Sequence, residues 1–151
     1  MYHTLLFLHS WGRWFVLLTG LVAVFRAYGG WTGRRPFTKG DNGISAAFSG
    51  FMWLQVIVGF GLYFGKGPWG LHGLQQMGMK DPTARFFGLE HVVVMIIAAI
   101  LAQVGRIALK KAPDDTLKHK KAFLYFGIAL LLVLLMIPWG IWNPARPLFR
   151  A

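Results

Sequence analysis

Residues 86–105, FFGLEHVVVMIIAAILAQVG, form an almost unbroken apolar stretch in which only Glu90 and His91 are ionisable. A helix needs about 20 apolar residues to cross the hydrocarbon core of a membrane. Three further stretches are similarly long and apolar, at about residues 4–25, 44–64 and 122–142. Separate strands of this length cannot satisfy their backbone groups in lipid. The sequence therefore predicts an all-α membrane protein with four transmembrane helices.

The composition is also that of a membrane protein. Of 151 residues, 56% are hydrophobic and 14% are charged, and the mean hydropathy is +0.51. A soluble domain carries about 25% charged residues. The length predicts a single domain, residues 1–151. The chain has no cysteine, which excludes disulfides, iron–sulfur clusters, zinc–thiolate sites and haem attached through a CxxCH motif.

The positive charge follows the pattern of a multi-pass membrane protein, with a formal net charge of +11. Ten basic residues lie in segments 26–42 and 106–121. Five lie at the other end of the spans: Lys66, Lys80, Arg85, Arg146 and Arg150. Because Lys and Arg concentrate in cytoplasmic loops, we expect an up-down bundle with both basic loops in the cytoplasm and both termini outside. The basic residues lie at the ends of apolar runs, so no nucleic-acid partner is expected.

Two histidines lie inside the predicted spans, His9 in the first and His91 in the third. Both are close to the outer ends of helices that run in the same direction, so their depths match. First and third helices are diagonal neighbours in an up-down bundle, about 11–14 Å apart when adjacent helices are about 8–10 Å apart. That gap accommodates a metal ion with a planar ring, which predicts bis-histidine ligation of a non-covalent haem b. A hydrogen-bonded structural pair, quinone binding and another metal remain alternatives.

Arg13 lies one helical turn after His9 and shares its face. A charged residue at this depth normally faces the bundle interior. One interpretation is an ion pair between Arg13 and Glu90 that fixes the helix register. The other is that Arg13 holds a haem propionate or a quinone oxygen. Glu90 could also orient a ligand imidazole, although consecutive helical residues point about 100° apart.

Four residues of the second and third spans give weaker signals. Gln55 and Gln103 are each a candidate site residue or an interhelical hydrogen-bonding residue. Gly59 and Gly61 lie near the depth of the histidines. They either make space for a macrocycle or allow close helix packing.

The outer loop from Gly65 to Arg85 is long and contains His72, Met77 and Met79. Imidazole and thioether groups suit Cu(I), so copper binding is one interpretation, and a loop lying on the membrane surface is another. The sequence contains no nucleophile–base pair, phosphate-binding loop or carboxylate dyad. It therefore predicts an electron carrier or subunit rather than a stand-alone enzyme, with no catalytic residue assigned.

Several motifs make the chain similar to the small four-helix membrane proteins of a bacterial cytochrome b-like family. They cover nearly the whole chain. The matching segments are HSWGRW (9–14), GRRPFTKGDN (33–42), Leu54-Gln55 with Gly59 and Tyr63, MKDP (79–82), RFFGLEH (85–91), KHKK (118–121) and IPW (137–139). Some members of that family carry a histidine before the Leu–Gln pair, where this chain has Trp53. His9 and His91 are left as the retained pair.

The resemblance implies a haem protein of the bacterial inner membrane that transfers single electrons. Its partners would be the quinone pool or another oxidoreductase on one side and an outer acceptor on the other. A different class of function is a cofactor-free accessory or assembly subunit of a respiratory or photosynthetic complex. A third is a quinone-binding subunit that uses His91, Glu90 and Gln55.

Overall fold

The computed structural model describes residues 1–139, and within them every regular element is helical. The elements are α1 (Tyr2–Thr32), α2 (Lys39–Phe64), α3 (Leu71–Met77), α4 (Pro82–Arg85), a π-helical turn (Phe86–Glu90), α5 (His91–Lys111) and α6 (Asp115–Met136). Four helical stretches in this part of the chain are long and apolar enough to cross a membrane: Tyr2–Thr32, Lys39–Phe64, Pro82–Lys111 and Asp115–Met136. The predicted all-helical fold with four apolar spans is confirmed.

The helices differ from the predicted spans mainly at their ends. α1 continues to Thr32. α6 already begins at Asp115, because Asp114 caps it by accepting a hydrogen bond from the Leu117 amide at 2.8 Å. α6 ends at Met136, followed by extended backbone at Ile137. Extended backbone is the conformation expected for a residue before proline, here Pro138. The predicted end at Trp142, with Pro144, Arg146 and Arg150, lies outside the described residues.

The start of α2 is fixed by a polar cluster. Thr38 is the N-cap residue and Asp41 completes the capping box. Asp41 is only 4% exposed and also accepts hydrogen bonds from Arg26 and Arg35, each at 2.9 Å. Its carboxylate raises the pKa of the Arg35 guanidinium above the ordinary value. At the start of α4, Asp81 is the N-cap residue and Pro82 is in the first helical position.

The spans pack pairwise around a core rich in small residues. α1 lies against α2 and α6, and α5 lies against the same two helices. Ala98, Ala99 and Ala102 of α5 are completely buried. Small residues let helix backbones approach closely, which is the main source of packing energy between helices in lipid. Large side chains such as Phe25 (70% exposed) and Ile57 (65% exposed) point outward, where lipid would cover them.

Contacts between segments define the two ends of the bundle. At one end, the Phe37 amide donates to Asp115 at 3.0 Å, which joins the α1–α2 connection to the start of α6. At the other end, the Tyr63 hydroxyl donates to the Gly88 carbonyl at 3.2 Å. His9 and His91 lie toward this second end.

Candidate functional site

A cavity of about 170 Å³ lies between the four spans at the histidine end of the bundle. Among the residues that line it are five of the predicted site residues: His9, Arg13, Gln55, Gly59 and His91. They come from α1, α2 and α5, which are far apart in sequence. The remaining wall is mostly apolar and includes Tyr63, Trp69, Phe87, Met95 and Val133. This composition, apolar with a few convergent polar groups, is typical of a ligand pocket.

His9 and His91 face each other across the bundle. Their ring centroids are 6.2 Å apart and the ring planes are inclined at 70°. The two rings come from α1 and α5, which share α2 and α6 as neighbours. The side chains therefore span the diagonal of the bundle, as the matched depths in the sequence indicated.

The orientation of His91 follows from the end of α6. His91 Nδ1 lies 3.0 Å from the Met136 carbonyl oxygen. The last carbonyls of a helix lack intrahelical partners, and Met136 is the last residue of α6. Because a carbonyl can only accept, Nδ1 carries the proton in this contact. The neutral ring then has a lone pair on Nε2, the arrangement found in metal-bound histidines.

His9 is held by two of the predicted residues of α2. Gln55 Nε2 donates to the His9 carbonyl oxygen at 2.8 Å. A Cβ atom at Gly59 would lie 3.4 Å from His9 Cε1, so the glycine leaves room for the ring. His9 Nδ1 is buried and has no hydrogen-bond partner within residues 1–139. A buried polar atom without a partner is costly and marks His9 as a candidate ligand-binding residue.

A π-helical turn precedes His91 directly. In such a turn the hydrogen bonds connect residues five apart, and π-turns inside α-helices are frequent at functional sites. The turn places Arg85 and Glu90 on the same face, where Arg85 Nε lies 2.7 Å from Glu90 Oε1. Both side chains are more than two-fifths exposed. Glu90 is therefore paired with Arg85 and does not line the cavity, which argues against the interpretation in which it pairs with Arg13.

Tyr63 ties this turn to α2, a role that we did not predict. Its hydroxyl donates to the Gly88 carbonyl inside the turn. Position 88 has no room for a side chain without a shift of its neighbours, because a Cβ atom there would lie 2.8 Å from Leu74 Cβ. Tyr63 was visible in the sequence only as part of the family resemblance. The backbone carbonyls of Gly88 and Met136 leave no sequence signal at all.

Tyr63→Phe should lower the stability of the protein by about 0.5–1.5 kcal/mol, because it removes a hydrogen bond to a partly buried carbonyl. Thermal unfolding in detergent measures the change. Tyr28→Phe is the matched control, since Tyr28 is 51% exposed and lies outside the cavity lining. Equal melting temperatures for the two variants would contradict the role of the Tyr63–Gly88 bond.

The other candidate residues lie outside this cavity. Gly61 packs against Leu5, whose Cδ1 would lie 3.1 Å from an added Cβ atom. Gln103 accepts a hydrogen bond from Ser49 at 3.0 Å and so connects α5 to α2. Met77 and Met79 are 43% and 49% exposed. The described residues contain no group of three or more His, Cys, Asp or Glu side chains placed to hold a metal ion.

The chain matches no protein-family model, no curated protein and no solved structure.

Proposed function

We propose that this chain is a membrane cytochrome of the b type that holds one non-covalent haem between His9 and His91. The observation that carries the proposal is the separation of the two imidazole centroids, 6.2 Å. Two imidazoles that share one metal ion, each bonded through a ring nitrogen at about 2 Å, have centroids about 6 Å apart. The protein then needs to supply only two ligands, because the macrocycle supplies the others.

The donor atoms of the cavity fit this group. The contact with the Met136 carbonyl leaves His91 Nε2 available as a ligand. His9 Nδ1 is buried and has no hydrogen-bond partner within residues 1–139. Imidazole is a common haem ligand, and a chain without cysteine must hold its haem non-covalently. The resemblance to the cytochrome b-like family points to the same cofactor.

Each lining residue has a defined task in this proposal. His9 and His91 would hold the iron through their ring nitrogens. Gln55 and Gly59 position His9, and Arg13, one turn from His9 on the cavity wall, neutralises a carboxylate of the bound group. Haem supplies reversible one-electron chemistry when bound. The apolar wall excludes water and lowers the local dielectric constant, which tunes the reduction potential.

We also propose an up-down arrangement of the spans in the bacterial inner membrane. The contacts at the two ends of the bundle support alternating helix directions. The ten basic residues in segments 26–42 and 106–121 support a cytoplasmic position for that end. The haem would then lie near the outer surface, and electrons would pass between the quinone pool or a membrane redox partner and an outer acceptor.

The size of the cavity favours a second candidate, a quinone-binding subunit. An apolar cavity of about 150 Å³ holds a benzene ring, and drug-sized ligands occupy about 300–1,000 Å³. At about 170 Å³ the cavity suits a single quinone ring, whereas a macrocycle requires the lining side chains to move. Arg13, Gln55 and Tyr63 would supply hydrogen-bond donors to quinone oxygens.

Cofactor extraction distinguishes the two candidates. The full chain is expressed with ample haem supply and purified in mild detergent. Haem and quinone are then quantified per chain in organic extracts. The cytochrome proposal predicts one haem per chain and no stoichiometric quinone. Stoichiometric quinone without haem would favour the second candidate. A chain with neither cofactor that co-purifies with a stoichiometric membrane partner would indicate an accessory subunit.

A further inference from the structure

The end of the bundle opposite the cavity has a surplus of exposed positive charge. The α1–α2 connection and the α5–α6 connection meet there, joined by the bond from the Phe37 amide to Asp115. Arg106 Nη1 adds a second link, donating to Asn42 Oδ1 at 2.6 Å. The basic residues of both segments are thereby collected at one end of the spans.

The carboxylates at this end are already used inside the protein. Asp41 is buried between Arg26 and Arg35. Asp114 caps α6. Asp115 accepts from the Phe37 amide and lies 3.7 Å from Lys118 Nζ. These three carboxylates face the ten basic residues of segments 26–42 and 106–121, which leaves a formal surplus of seven positive charges at this end.

Six cations at this end form no salt bridge in the described part of the chain. They are Arg34, Lys39, Lys110, Lys111, Lys120 and Lys121. All of them are exposed except Lys121, which is half-buried. We call these six residues the basic ring. They lie at or near the ends of α1, α2, α5 and α6 on this side of the bundle.

Arg34 gives a second reason to look for a function in this ring. Its backbone has φ 48°, the left-handed region in which glycine is free of strain and a long side chain is uncommon. Glycine would fit this position better, and Gly33 directly precedes it. A non-glycine residue kept in a strained conformation is a reason to look for a function at that position.

The surroundings of the ring have the chemistry of a membrane interface. Lys120 Nζ lies 5.7 Å from the centre of the Trp31 ring, and tryptophan is enriched at the level of lipid headgroups. Along α1, toward the middle of the span, Tyr28 is 51% and Phe25 70% exposed. The cationic side chains thus lie at the end of the span, and apolar side chains follow toward its middle. A phospholipid has the same order, with a charged headgroup followed by apolar acyl chains.

We propose that the basic ring binds the phosphate groups of anionic phospholipids in the surrounding bilayer. A cation near a membrane surface contributes about 1 kcal/mol to the attraction for anionic lipid, or about a fivefold preference. The interaction is electrostatic and is screened by salt. It is independent of whatever the histidine cavity holds.

The test uses the full chain reconstituted in phosphatidylcholine bilayers with a trace of spin-labelled phosphatidylglycerol or spin-labelled phosphatidylcholine. The association of each labelled lipid with the protein is measured by electron paramagnetic resonance. We expect phosphatidylglycerol to be enriched at least about fivefold over phosphatidylcholine at low salt. The enrichment should fall toward one in 1 M salt, where the screening length is about 3 Å.

Two double variants of equal charge locate the interaction. Arg34→Gly with Lys120→Gln removes two charges from the basic ring and relieves the backbone at position 34. Lys66→Gln with Lys80→Gln removes two exposed charges from the other end. We expect the first pair, which removes two of the six cations, to lower the enrichment by about a factor of two and the second to leave it unchanged. The proposal would be overturned if the two double variants lost the same amount of enrichment. It would also be overturned if the unmodified chain showed no enrichment of phosphatidylglycerol.

Inorganic phosphate distinguishes a lipid headgroup from a free anion. It is added to the reconstituted protein with ionic strength held constant by sodium chloride. The proposal predicts no displacement of the labelled phosphatidylglycerol beyond the effect of salt. Full displacement by millimolar phosphate would show a site for a soluble anion and would contradict a lipid site. Melting temperatures in neutral detergent confirm that both double variants remain folded.

Discussion

Replacing either cavity histidine, by His9→Ala or His91→Ala, is expected to abolish haem binding. The proposed site has only two protein ligands, so each substitution removes half of the axial coordination. Changes to groups that merely orient a metal ligand cost about 10–100-fold in affinity, and loss of a ligand should cost at least about 100-fold. Haem content per purified chain and the Soret absorbance measure the effect.

His72→Ala is the matched control for these variants. His72 lies in α3, outside the residues that line the cavity. Its removal should leave the haem content at the level of the unmodified chain. Retention of haem in both His9→Ala and His91→Ala would contradict the proposed ligands. Gel filtration and circular dichroism in detergent separate loss of cofactor from loss of fold.

Gly30→Ala is expected to give the largest loss of stability among single-methyl additions to α1. A Cβ atom at Gly30 would overlap His119 Cε1, only 2.3 Å away, and His119 is completely buried. The imidazole is completely buried, so the contact must be relieved by displacing the ring or by moving α1 and α6 apart. Overpacking of this kind costs about 1–3 kcal/mol. Thermal unfolding in detergent measures the loss.

The adjacent glycine supplies the control. A Cβ atom at Gly29 meets nothing within 4 Å, so Gly29→Ala should be neutral or stabilise the helix by about 0.5–1 kcal/mol. The variant His119→Ala makes room for the added methyl group. Gly30→Ala should therefore cost little in that background, as a double-mutant cycle would reveal. Similar melting temperatures for Gly29→Ala and Gly30→Ala would contradict the close approach of α1 and α6.

The four spans and the approach of His9 and His91 were accessible from sequence because they depend on apolar length and on residue depth. Hydropathy alone sets where a helix must cross lipid, and matched depth in diagonal helices brings two side chains together. Gln55 and Gly59 also lie at the site, although their contacts with His9 were not foreseen.

The remaining features depend on backbone hydrogen bonding, which side-chain patterns do not encode. The π-helical turn precedes His91 and pairs Glu90 with Arg85, whereas one interpretation of the sequence paired Glu90 with Arg13. The end of α6 at Met136 frees the carbonyl that contacts His91. Neither feature changes the hydropathy of the sequence. The burial of His119 against Gly30 was equally hidden, because both residues lie outside the predicted apolar spans.

The most direct test of the central claim is a reduced-minus-oxidised optical spectrum of the unmodified chain, purified in mild detergent from cells with ample haem supply. A haem held by two histidines predicts a Soret band and a sharp α-band that appears on reduction. The bands should be present at the intensity of one haem per chain. A folded, colourless protein that also takes up no added haem would contradict the account.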